Sequence, residues 1–539
     1  MSVVAAASQS NDERCQDEDT ARQQRLLDTV NRNINLAVGC IPEIEELLVS
    51  ISNRTRWPVF TGLPAFITSL RQEHEALQLA RTKLETPFSL SDLDAINKRV
   101  EQAAPVVHHG AVRWSILKNY KSLVAVSRTF HGSAREERHK QISQIPSVSG
   151  NEKHHLHRTL KEQSKVEVDV VDEGFQWIDV RWITKDRLAR QMTDSGWSWG
   201  DYELGDKVDY DEWIDIPFVK QVKRLIAAAR LNRHEYCIPR LTVVLPNLAR
   251  GSVDIDVLLE QIQSIDPAVT LIIEDSTGGI LNKTAPELSS AVANLTGNEL
   301  DKLTPTINLD HTLLVDLISD LTHYRLTVQP WQEKTTRWQI DQENEYPDGL
   351  MLRTIHPVLG GRKLVCTREA AEHFLDMLTT VGTATERERG KLLVPLYEPE
   401  SLLDHTTIRD RFKALSVRDI PDDIQLPVEI LPSDMPWGHE AVEAAVQDGR
   451  LPAVARSVAA RNDQLKSSKL SIYMYGWSSG LVTVTSNKEI KGQMKTWVEA
   501  GRTHDNEKGP AIWSLGVTRN LLAKSANPPP GWDSRVGNT

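Results

Sequence analysis

Two groups of acidic residues in this chain have the types and spacing to do chemistry. Asp310 closes the strand-like run TINLD, and a helical pattern starts directly after it. Glu369 falls one or two residues into a helix that follows the strand-like KLVC. Metal-assisted hydrolysis of a phosphodiester needs several carboxylates converging on Mg2+ or Mn2+, which activates water and stabilises the leaving oxygen. In an open α/β sheet such groups gather at the carboxyl ends of strands. Asp310 and Glu369 both fit an acidic pocket at one sheet edge. A plainer role fits them too: Asp is a favoured N-cap, and Glu in a first turn is favoured by the helix dipole. The second group lies in EVDVVDEGFQWIDVRW. Asp169 or Asp172 sits on one strand of an expected hairpin, and Asp179 and Arg181 sit on the next. Alternation places Asp179, Arg181 and Trp177 on one face. An ordinary hairpin with a polar face reads the same way.

Several elements must position these residues. Residues 1–19 are polar and read as a disordered tail. Leu26, Leu27, Val30, Ile34, Ala37 and Val38 then fall at helical spacing. More helical stretches follow at 63–84, 89–103 and 112–126, with Ser89 or Ser91 as a cap. A helical region over 20–160 without strands is expected, ending in an exposed linker, SAREERHKQISQIPSVSGNEKHHLHR. A middle α/β domain is expected over 165–280. KVEVDVVD and QWIDVRWI form its hairpin around Glu173–Gly174, followed by helix 218–231, strand RLTVVLPN, helix 253–265 and strand VTLIIED. Residues 276–303 read as a polar connector. A second α/β domain is expected over 300–523, with TINLD, KLVC, VEILP, LSIYMYG (470–476), GLVTVTSN and AIWSLGV as strands. Its helix 311–323 keeps Asp316 and Asp320 off the apolar face. In TATERERG, Thr385 and Glu388 have capping-box spacing, and Glu386 and Glu388 read as cap and surface charge. Residues 524–539 read as a second disordered tail. The fold class is α/β behind a helical N-terminal region.

The order of INLDHTLLVDLIS, CTREAAEHF, GTATERERG and VTVTSN resembles a PIN-like domain. It is similar to the C-terminal half of the eukaryotic family named domain of unknown function 1308. This likeness covers roughly residues 300–520, with a weaker one over 165–275. It implies metal-dependent action on RNA, with Asp310 and Glu369 as catalytic and metal-holding acids and Asn487 completing the shell. The chain departs from the pattern at YGWSSG, where serines stand in place of aspartate, and at Asn487, where many such enzymes have Asp. An amide oxygen can ligate Mg2+ but brings no charge. The hairpin in turn resembles the PD-(D/E)xK nuclease core. There Asp169 or Asp172 would be the first acid and Asp179 the second, with Arg181 in the place of lysine. Arginine is bulkier and stays protonated.

Composition limits the alternatives. The chain has 539 residues, 40% hydrophobic and 25% charged, with a net charge of −11. No apolar run approaches the length that spans a bilayer, and no secretory signal opens the chain. A cytoplasmic or nuclear location and no membrane partner are expected. The four cysteines form no CxxC or Cys/His pair, so disulfides and structural zinc are not expected. GxGxxG is missing, so NAD is not expected either. Haem is likewise not expected. From His108 to Lys165, eleven Lys/Arg face four Glu, with seven of the sixteen histidines. This strip could hold RNA phosphates, with Arg113, Lys118, Lys121 and Arg128 as contacts, or it could be a solvated helix and linker. The histidines fit no zinc spacing and read as exposed linker residues. The acidic-aromatic loop 196–215 could grip a protein partner through its tryptophans. Three readings stay open: RNA binding or cleavage, a non-enzymatic scaffold, and a nuclease-like site in the middle domain.

Overall fold

The computed structural model describes residues 2–52, 60–86, 90–145, 149–432, 437–461, 467–530 and 532. Side chains are described from Thr20 onward, apart from those of residues 52, 90, 91 and 467. The chain divides into two compact units, Met1–His234 with Ile238–Asn298, and Glu235–Cys237 with Glu299–Thr539.

The first unit begins with helices Ser2–Ser52, Leu63–Leu84 and Leu90–Leu117. Their apolar positions recur every three or four residues, and Val30, Ile34, Leu70, Leu77, Val107 and Trp114 meet in one core. A five-stranded sheet follows, made of β1 (Leu123–His131), β2 (Lys165–Asp172), β3 (Gln176–Val180), β4 (Arg240–Val244) and β5 (Leu271–Glu274). Its spatial order is the chain order. β1–β2 and β2–β3 pair antiparallel, while β3–β4 and β4–β5 pair parallel. Glu173 and Gly174 take positive φ of 51° and 79°, which closes the β2–β3 hairpin. Parallel pairing needs long crossovers, supplied by helices Pro217–Leu231 and Val253–Gln263.

The second unit holds β6 (Thr306–Leu309), β7 (Lys363–Cys366), β8 (Glu429–Ile430), β9 (Val482–Thr485) and β10 (Ile512–Ser514). All neighbouring pairs are parallel, in the order β10-β9-β6-β7-β8. The chain winds outward from β6 to β8, then restarts on the other side of β6. Between β6 and β9 the winding reverses, which opens a crevice at their carboxyl ends. Ile307, Leu309, Leu364 and Val484 are buried, as suits a parallel sheet covered on both faces.

The structure corrects several expectations. β1 lies inside the region expected to be purely helical. Helix Leu90–Leu117 stops before it, and β1 shows no clean two-residue period in the sequence, since Leu123, Ala125, Val126 and Phe130 are its buried positions. The Ser89 and Ser91 cap lies outside the described residues and side chains. The supposed linker forms helices Arg135–Ser143 and Gly150–Gln163, the latter held by a Ser149–Glu152 capping box. The connector at 276–303 contains helix Leu288–Thr296, which buries Ala291, Val292 and Leu295. LSIYMYG is no strand but part of helix Ser467–Ser478. Leu470, Ile472, Tyr473 and Met474 are all buried there, so no helical period was visible. The capping box of helix Ala384–Leu393 uses Thr383 and Glu386, two residues earlier than expected. Glu386 is fully buried and also accepts from the backbone N–H groups of Asp320 and Leu522. The expected helix 311–323 breaks at Ser319 into His311–Ile318 and Asp320–His323, and Asp316 on the first and Asp320 at the start of the second are both buried. The acidic-aromatic loop 196–215 contributes to the core, with Trp197, Val208 and Trp213 buried. Among the described residues no helix is long and apolar enough to cross a membrane.

Candidate functional site

Asp310 sits at the crevice of the parallel sheet, just past the end of β6. It caps helix His311–Ile318 by accepting from the Thr312 N–H at 3.4 Å. Its other oxygen accepts from the Tyr473 hydroxyl at 2.8 Å and the Thr485 hydroxyl at 2.5 Å. His311 Nδ1 stands 2.7 Å from Oδ1. The residue is 1% exposed. Burial alone would raise its pKa, but the adjacent imidazole and the two hydroxyls outweigh it and hold the carboxyl at about 2. Helix Ser467–Ser478 can bring Tyr473 here because Gly476 lets it approach β9. A Cβ at Gly476 would lie 2.2 Å from Thr483 Oγ1. Asn308 on β6 fixes the same helix by donating to the Ile472 carbonyl at 2.8 Å. Tyr473 and Thr485 were missed in the sequence, where Tyr473 lay in a supposed strand and threonine carries no charge signal.

Glu369 is half-buried in the first turn of helix Arg368–Val381. Asn487 is half-buried, and its side-chain oxygen accepts from the Glu489 N–H at 3.0 Å, a local turn. Among the described residues no three His, Cys, Asp or Glu side chains form a group able to hold a metal ion. Asp310 has protein groups on both oxygens. The residues present at this crevice therefore do not fit a Mg2+ or Mn2+ centre.

The middle hairpin brings its candidates together. One step beyond the paired Val170 and Ile178, the antiparallel register places 169 opposite 179. Asp169, not Asp172, is thus the acid that meets Asp179. Asp172 lies at the turn end, opposite Gln176. The Val180 N–H donates to Asp169 Oδ2 at 2.6 Å. Arg113 Nη2 reaches Asp169 Oδ1 at 2.6 Å, and Arg181 Nε donates to Asp179 Oδ2 at 2.6 Å. Burial pushes both carboxyls up, that of Asp179 to about 7, with the two arginines opposing the shift. The carboxylates are closed off, while the arginine side chains remain 25% and 31% exposed. Beside them, His109 stacks on Trp182 with ring centroids 3.7 Å apart. Burial and Arg113 hold His109 down to about 4. Two guanidinium groups thus stand against the acid pair.

The remaining basic candidates divide. Lys118 is drawn into an ion pair, its Nζ 2.9 Å from Glu43 Oε2, so it is not a free phosphate contact. Arg113 serves Asp169 instead of standing alone. Lys121 and Arg128 are exposed, Arg128 over the Phe130 ring at 5.0 Å. In loop 196–215, Trp197 points inward and donates to Asp254 at 3.0 Å, so it is no interface anchor, and buried Trp213 is none either. Trp199 remains partly exposed.

Fold and site define a class: an α/β protein with one mixed and one doubly wound parallel sheet, each holding buried aspartate at its candidate site. Comparison with protein-family models, curated proteins and solved structures finds no match.

Proposed function

We infer that the protein binds RNA through a nuclease-like scaffold without cleaving it. One observation carries this reading: Arg113 and Arg181 pair with Asp169 and Asp179, where a PD-(D/E)xK enzyme would place its metal. A guanidinium fork receives phosphate oxygens in two parallel hydrogen bonds. It cannot generate hydroxide from water. Arg113 and Arg181 keep N–H groups beyond those given to the carboxylates, and exposed Lys121 and Arg128 add positive charge. The winding order of the second sheet and the place of Asp310 support the PIN-like likeness. The protein donors around Asp310 speak for a residue that fixes structure there.

The test uses fluorescence anisotropy with a single-stranded RNA of about 20 nucleotides, with salt varied. The double variants Arg113→Gln/Asp169→Asn and Arg181→Gln/Asp179→Asn remove charge without stranding a buried carboxylate. Each is expected to weaken binding about tenfold and to reduce the salt slope by about 1. Wild type should release no product with Mn2+. Metal-dependent cleavage lost in Asp310→Asn or Asp179→Asn would overturn the reading and restore a nuclease. No RNA binding at low salt would leave the protein-interaction scaffold.

A further inference from the structure

Helices Arg135–Ser143 and Gly150–Gln163 enclose a groove of about 610 Å³. Its size falls within the range of small-molecule sites. Arg135, Lys153, Arg158 and Lys161 line it, together with His139, His154 and His157. No carboxylate belongs to the lining. Elsewhere the protein answers arginine with acid, as in Arg389–Asp320, Arg418–Glu343 and Arg456–Glu443. Of the nearby acids, Glu152 caps its own helix and Glu162 faces Lys165, while Glu136 and Glu137, in the first turn of helix Arg135–Ser143, lie outside the lining. Four like charges around one hollow repel each other, and a bound anion would relieve that repulsion.

The histidines add a directional signal. Arg138 Nε donates to His157 Nδ1 at 3.4 Å, and Arg135 Nε donates to His139 Nε2 at 3.4 Å. An arginine stays protonated, so each accepting nitrogen carries no hydrogen. For His157 this leaves Nε2 as the ring nitrogen that can donate. His157 Nε2 is buried and has no protein partner. A ligand oxygen would supply the acceptor that this nitrogen lacks within the protein. The His139 and His157 rings meet edge to face at 4.5 Å, so both belong to one cluster.

We propose that this groove binds a compact polyphosphate group, carried by a free nucleoside triphosphate or by the 5′ end of an RNA. A phosphate cluster supplies several negative oxygens within a few ångströms, matching converging cations and N–H donors. A nucleic-acid backbone spreads its charges along the chain and would fit the hollow less well. The site uses none of the residues assigned to RNA backbone binding, so either can fail alone.

The experiment is calorimetric titration of the full chain with inorganic tripolyphosphate at low salt. Wild type should bind with micromolar affinity. Lys153→Gln/Lys161→Gln and, separately, His157→Phe should weaken it at least tenfold, with unchanged circular dichroism. Lys121→Gln/Arg128→Gln should leave it unaltered. Competition by ATP or by 5′-triphosphorylated RNA would each uphold the site and name its source. Absent binding, binding unaffected by the groove substitutions, or equal competition by 5′-hydroxyl RNA would overturn it.

Discussion

Asp310 and Asp316 lie six residues apart, both fully buried, yet burial meets opposite answers. Asp310 gains two hydroxyl donors and an imidazole and stays ionised to about pH 2. Asp310→Asn should cost about 2–4 kcal/mol by urea unfolding, since its one oxygen can serve either the Tyr473 and Thr485 hydroxyls or the Thr312 N–H, and the NH2 group then faces donors on the other side. A neutral outcome would mean the hydroxyls find other partners. Asp316 accepts from the Arg519 N–H at 2.6 Å and the Thr518 hydroxyl at 3.0 Å, but burial prevails and raises its pKa to about 7. The folded state therefore holds a proton that the unfolded chain has lost above its ordinary value near 4. That contribution is complete below pH 4 and disappears as pH rises through 7. His323 has the opposite sign: burial lowers it to about 3, so its contribution is present above 6.5 and lost on acidification. Asp316→Asn removes the first effect alone. Relative to wild type it should gain stability from pH 5 to pH 8, and parallel stability curves would contradict the assignment.

Among the elements, the strands of the parallel sheet were legible because their apolar runs are short and bounded. KLVC coincides with β7 from end to end. Helix Leu63–Leu84 was equally plain, with one apolar stripe and a polar back. What stayed hidden was governed by burial on every side. Ser467–Ser478 packs its β-branched and aromatic residues all round, so its local preference pointed to a strand and tertiary packing overrode it. The middle-site residues could be named because acid–x–base on a strand is a local pattern. Arg113 could not be joined to them, since 56 residues separate it from Asp169. Two substitutions test the element geometry. Thr383→Ala should cost about 1–2 kcal/mol, because the hydroxyl caps its helix and also donates to Asp320 at 2.6 Å. Gly476→Ala should cost about 1–3 kcal/mol by pushing its helix off Thr483. Both are read from chemical denaturation midpoints, and unchanged midpoints would refute the contacts.

At the scale of the molecule, each unit carries a buried thiol that reports on it alone. Cys40 lies in the core of the first unit, Cys366 in that of the second. Burial raises them to about 11 and 12, which leaves almost no thiolate at neutral pH. Cys237 is half-buried. Under native conditions an alkylating reagent should modify Cys237 before Cys40 or Cys366, as read by peptide mass spectrometry. In rising urea, Cys40 and Cys366 should become reactive only as their own unit unfolds. Fast native labelling of Cys366 would contradict its packing.

The winding of the second sheet bears on how the chain is made. β6 is central, but its partner β9 follows about 175 residues later, as the pairing of Ile307 with Val482 requires. At about 5–20 residues per second, synthesis leaves one edge of β6 without its neighbour for on the order of 10–35 s. Throughout that wait the edge presents unpaired backbone N–H and C=O groups, open to pairing with another chain.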